Sequence, residues 1–212
     1  MFLAIQLLLL ILLNKLMFCG VIWLTIDRMT FEVYWSYYKS IENMFINTIQ
    51  YVSPSITNKK TYSDEYAKII LLCGSEVDSI LKLICKLEKQ KPEKRDYSMN
   101  DYSKFIDSCE LLKTQSYCPE CLTTTKEKYI VASPFENIQI GVPYSGLDWW
   151  KDYQALKHNR MKNARKGNLK NAVSLLVAHY VLIRHLINYL GKNYGIDYVN
   201  EHNVSNILIP CL

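Results

Sequence analysis

The stretch "NLKNAVSLLVAHYVLIRHLINYL", Asn168–Leu190, is apolar on almost every side of a helical wheel. A helix at a protein surface keeps one polar face, and a helix without one belongs inside. The spacing therefore predicts a long, most buried helix over 169–190 and an all-α fold packed around it. Gly167 and Asn168 supply a break and a new cap at its start, and Gly191 stands where a C′ glycine would close it. His179 falls among Ala172, Leu175, Leu186 and Leu190 and reads as a core residue, whereas Arg184 and His185 read as surface or interface groups.

The rest of the chain agrees with a helical fold. Sixteen Tyr and four Trp accompany only seven Gly and six Pro among 212 residues, which argues against a turn-rich β protein. Phe31, Tyr34, Tyr38, Ile41, Phe45, Thr48 and Ile49 recur at helical spacing, so a helix is expected from Thr30 to about Val52. Ser63, followed by Asp64 and Glu65, caps a second helix running to about Glu88. A shorter one is expected over about Met99–Leu112 and another from Asp148 to about Asn163, with a short tail helix near Asp197–Ile207. Between them, 114–147 holds Pro119, Pro134, Pro143 and the β-like runs Tyr129–Val131 and Ile138–Val142. The expected fold class is an up-and-down helical bundle, one domain over 29–212, with a long irregular insertion at 114–147 before the last two helices.

Residues 1–28 stand apart as the most apolar segment. Three readings compete for 2–26. A membrane anchor is long enough at about 20 residues, but Asn14 and Lys15 lie near its middle, and a central Lys costs about 2.5–3.5 kcal/mol. A signal peptide would carry a basic start and a small-residue cleavage site, and neither is clean. The third reading starts translation at Met29. Seven scattered cysteines (19, 73, 85, 109, 118, 121, 211) form no disulfide framework, so a cytoplasmic location is expected, with membrane anchoring through 2–26 as the alternative.

Two polar residues fall on apolar stripes. Wound at about 100° per residue, Ile69, Leu72, Cys73, Val77, Ile80, Leu83 and Ile84 share one face, and Glu76 falls on it. On the helix after Asp148, Trp149, Tyr153, Leu156 and Ala164 form the stripe, and Arg160 falls in its middle. A buried acid needs a base and a buried base needs an acid. A Glu76–Arg160 ion pair is thus predicted, with Lys157 at the stripe's border and His158 pointing nearly opposite.

The segments "TYSDEYAKIILLCGSEVDSILKLIC", "WWKDYQALKHNRMKN" and "NLKNAVSLLVAHYVL" resemble an uncharacterised group of bacterial and phage helical proteins with a W-W-x2-Y-x3-K-H-x-R segment before the last long helix. More distantly the layout is similar to the HEPN superfamily, helical bundles that are often RNases of toxin and phage-defence systems. Their signature places Arg first and His a few residues later, whereas here His158 precedes Arg160. The resemblance implies an RNA-directed protein. His158 would be the acid–base, Lys157 and Arg160 would hold phosphate, and Glu76 would steady the site. The RNA 2′-hydroxyl would be the nucleophile, without metal or cofactor. It also implies a homodimer and a neutralising or defence-system partner. Lys162, Arg165, Lys166 and Trp150 are the expected RNA contacts, as cations and a stacking ring. The alternative is a non-catalytic interaction module, with or without a membrane tether, in which Glu76–Arg160 is a structural bolt.

Other chemistry is thinly represented. Net charge is +5 and pI about 8.7, a modest basic excess. Cys118-Pro-Glu-Cys121 supplies two thiols, but a structural zinc site takes four ligands and only Cys109 lies nearby, so the pair reads as a chance one in a loop and no metal is assigned, with a dimer-bridging or long-range site as the alternative. No P-loop, dinucleotide fingerprint, H-E-x-x-H or G-x-S-x-G occurs.

Overall fold

The computed structural model of the chain describes residues 31–87, 97–120, 128–140, 146–194 and 204–211. The apolar segment 1–28, Cys121 and most of the expected tail helix lie outside them. The described chain is mostly helical: α1 (31–49), α2 (Asp64–Leu87), α3 (Met99–Ser108), α4 (Glu110–Lys113), α5 (Asp148–His158) and α6 (Leu169–Tyr194), with two short strands, β1 (Tyr117–Pro119) and β2 (Leu208–Pro210).

Helix α6 is the centre. From Ala172 to Ile183 every residue is buried, and Leu175, Leu176, Val177, Ala178 and Leu182 are wholly enclosed. Burying each of these leucine and valine side chains contributes about 1.5–3 kcal/mol, so the sequence of α6 has no stable place at a surface. Among the described residues, Leu169–Lys192 is long and apolar enough to cross a membrane, but 78% of its most apolar window is buried inside the bundle. Its backbone continues through Gly191 to Tyr194 rather than ending there. A glycine weakens a helix by only about 1 kcal/mol.

Helix α2 runs along α6, and α5 lies against both. Ser63 caps α2 as expected, accepting from the Tyr66 N–H at 3.1 Å. Gly74 is the point of closest approach between α2 and α5, because a Cβ there would land inside the Tyr153 ring. From α1, Phe31, Trp35, Tyr38, Ile41 and Phe45 are buried. The Tyr38 ring stands edge-on to His179 at 5.4 Å, which seats α1 on the middle of α6.

Three local expectations are corrected. The single helix over 99–112 is broken at Cys109, whose backbone (φ −108, ψ 88) leaves the helical region. Among the described residues, the two β-like runs of the insertion do not pair with each other. Instead β1 pairs antiparallel with β2 from the far end of the chain, Cys118 opposite Ile209, and Tyr117 bridges Ala132. Residues 204–207 are likewise non-helical where they are described. The insertion is also no mere excursion: Ile130, Ala132, Phe135, Ile138 and Leu147 join the hydrophobic core.

Candidate functional site

Helix α5 begins after Gly146, whose φ of +75° suits glycine. Both tryptophans of "WW" then turn inward. Trp149 donates through Nε1 to the Pro134 carbonyl at 2.8 Å and stands edge-on to Phe135. Trp150 is only 4% exposed and packs on Tyr153. The expectation that Trp150 stacks on an RNA base is therefore corrected: its ring is spent on the core, as the large apolar area of indole favours.

The helix ends at His158, because Asn159 (φ −155, ψ 84) leaves the helical conformation. Everything predicted from the wheel beyond that point changes. Arg160 is half exposed and pairs at 3.2 Å with Asp64, itself 85% exposed. The Glu76–Arg160 pair does not form. Glu76 instead sits at the border of the α2 core face, since that face is centred on Ile70, Cys73, Val77 and Leu81 while Leu72 and Leu83 are only partly buried. Desolvation raises the Glu76 carboxyl above its usual value, and it has no hydrogen bond or ion pair among the described residues.

Beyond α5 the chain forms a loop built on asparagines. Asn163 Nδ2 donates to the Ala155 and Asn159 carbonyls at 3.0 and 2.8 Å, closing the open end of α5. Asn159 Oδ1 accepts from the Lys162 N–H, and Asn168 Oδ1 from the Asn171 N–H, which caps α6. Asn171 in turn donates to Asp152 and to the Lys166 carbonyl. Short amide side chains serve here because they can mimic backbone partners in turns.

This loop carries the cations. Residues 157–170 contain six Lys or Arg and no acid. Lys157 and His158 are exposed, with Lys157 Nζ 5.7 Å over the Tyr153 ring. Lys166 pairs with Asp152 at 3.1 Å. Lys162, Arg165 and Lys170 are exposed and have no acidic partner among the described residues. A second strand of chain adds to them. Leu169 N–H donates to the Thr61 carbonyl at 2.8 Å, Lys170 N–H to Lys59 at 3.1 Å and Ser63 N–H to Gly167 at 3.1 Å. The exposed Lys59 and Lys60 thereby lie beside the loop, together with Tyr62, which is 54% exposed. Sequence reading missed these residues because the connection 53–65 and the loop are about a hundred positions apart. The only signal was the run "NKK" at 58–60. Next to this segment opens a cavity of about 410 Å³, lined by Thr48, Tyr51, Thr61, Ser63, Glu65 and Tyr66 among others.

Elsewhere the bundle encloses polar groups of a different kind. Glu42 is fully buried and accepts from Tyr38 Oη at 2.9 Å, from the Asn206 N–H at 3.0 Å, and from Ser205 and Lys39. His179 is wholly enclosed with both ring nitrogens unpartnered, and burial pulls its pKa down to about 3. Cys118 is buried on β1. Burial first, then its hydrogen bond with Cys211, pushes the thiol up to about 12. Among the described residues no cluster of three or more His, Cys, Asp or Glu could hold a metal. No family model, curated protein or solved structure matches the chain.

Proposed function

We propose that the chain is an RNA-binding helical protein whose contact surface is the basic loop 157–170 with the adjoining segment 59–63. One observation carries this reading: Lys59, Lys60, Lys162, Arg165 and Lys170 converge from two distant segments, exposed and without acidic partners among the described residues. Unneutralised cations on a fixed backbone favour a phosphate chain, which releases counterions on binding. Tyr62 and Tyr51, 54% and 86% exposed, take the stacking role first given to Trp150. The neighbouring cavity suits one unstacked base. In this reading the bundle is HEPN-like in layout, and two copies in a homodimer would join their loops into a longer track.

A cleaving protein is the second reading, favoured by the exposure of His158 between Lys157 and Arg160. His158 would move a proton at the 2′-hydroxyl while the flanking cations hold the phosphate.

The test is fluorescence anisotropy of labelled single-stranded RNA with the full chain over a salt series. The triple variant Lys162→Ala/Arg165→Ala/Lys170→Ala is expected to stay folded by circular dichroism. It should flatten the slope of log K against log salt by about 2. An unchanged slope, or no RNA binding at low salt, overturns the proposal. Metal-free cleavage lost in His158→Ala would establish the second reading, and cleavage retained in that variant would remove it.

A further inference from the structure

Glu76 leaves a demand that the described residues of the bundle do not fill. Glu42 gathers four donors. Asp78 holds Lys82 at 2.6 Å and accepts from Tyr102 at 2.9 Å, and Asp152 holds Lys166 and Asn171. Glu76 has no such partner among the described residues, although it is half-buried and its carboxyl is raised by desolvation.

Its surroundings are specific. Glu76 faces an open groove of about 460 Å³ whose other wall is α1: Val33, Tyr34, Ser36, Tyr37 and Ser40. Val33, Ser36, Tyr37 and Ser40 follow the i, i+3, i+4, i+7 spacing of one helix face. That face is turned to solvent, with Val33 65% and Tyr37 39% exposed. Burial first, and then the charge of Glu76, raises the Tyr34 hydroxyl above its ordinary value. Among the described residues, no Lys or Arg lines the groove.

A carboxylate without a base beside two phenol rings is chemically selective. Phosphate is repelled. A hard metal ion takes several oxygen ligands, and one carboxylate with hydroxyls of low acidity is a poor set. An organic ammonium, in contrast, gains from the ring faces and from the charge together, and its apolar body covers the valine and tyrosine carbons. The volume falls in the range of small-molecule sites.

We propose that the groove between α1 and α2 binds a small substituted-ammonium ligand, held by Glu76 and by the rings of Tyr34 and Tyr37. The site is independent of the RNA surface.

Isothermal titration calorimetry of the full chain with benzyltrimethylammonium tests this, with benzyl alcohol as the uncharged control. Binding of the cation is expected with Kd on the order of 1 mM or tighter, and the control about tenfold weaker. Glu76→Gln should weaken the cation by about tenfold. Tyr37→Leu keeps apolar cover but removes a ring face, and it should weaken binding severalfold. Tyr37 is exposed enough that its replacement leaves folding intact, so this variant decides the matter should Glu76→Gln fail to fold. No heat from the cation, equal affinity for cation and control, or an affinity that both variants leave unchanged overturns the proposal.

Discussion

Glu42 and Glu76 are two acids on neighbouring helices with opposite surroundings. Glu42 is sealed, yet Tyr38, Lys39, Ser205 and Asn206 all direct donors at it. Glu76 is less buried and receives none among the described residues. Depth of burial thus does not separate a structural acid from one available to a ligand; what separates them is whether donors arrive with the burial. The region around Glu42 ties α1 to the segment 204–208 and closes the fold. The region around Glu76 stays open.

The largest effect should come from Glu42→Ala. Removing the buried carboxylate takes the shared acceptor from the enclosed Tyr38 hydroxyl, from Ser205 and the Asn206 N–H, and from the partly exposed Lys39, and a loss of about 3–5 kcal/mol is expected in urea unfolding. A loss below about 1 kcal/mol would place Glu42 among ordinary solvated pairs and erase the contrast.

Next comes the acid limb of stability. His179 belongs to the sealed region through its contact with Tyr38. Its folded pKa of about 3 lies below the ordinary 6.5. The unfolded chain therefore takes up this proton first as pH falls. The contribution is complete above 6.5 and is lost progressively as pH drops towards 3, at about 1.4 kcal/mol for each pH unit in that window. His179→Leu should flatten this limb of the denaturation profile; an identical limb in the variant would locate the acid sensitivity elsewhere.

The smallest effect is expected at Glu76, and it has the opposite sign. Desolvation raises its carboxyl above 4.5, so the folded chain holds the proton longer than the unfolded one. Stability contributed by the neutral form is lost as pH rises from 4.5 through the folded value, and nothing further changes above it. The ionisable neighbours that sense Glu76 are Tyr34 and Cys73, and both stay neutral in that window. Glu76→Gln should then be neutral to slightly stabilising at neutral pH, by less than about 1 kcal/mol given its solvent contact. A marked destabilisation would mean that the ionised carboxylate has a structural partner.

The helical character of the fold, the central place of α6 and the Ser63 cap were legible because each depends on local spacing or a local cap. Glu42 was not legible: its donors Ser205 and Asn206 lie more than 160 positions away. The pairing of β1 with β2 was hidden for the same reason. Arg160 was misplaced because a helical wheel assumes the helix continues, and α5 stops at His158 where asparagine side chains offer the backbone other partners. The cluster of bases after His158 was visible as composition. Its junction with Lys59 and Lys60 follows from three backbone hydrogen bonds that no spacing rule contains.

The asparagine-stitched loop has one further consequence. Its cations are mounted on a backbone already fixed at both margins, by Asn163 on α5 and by the hydrogen bonds of Leu169 and Lys170 to segment 59–61. A flexible basic tail loses conformational entropy when it is drawn onto a polyanion, and part of its binding energy is consumed in doing so. This loop is pre-organised. On the proposed reading, its association with RNA would therefore be governed by ion release and by the spacing of its charges, with little folding coupled to binding.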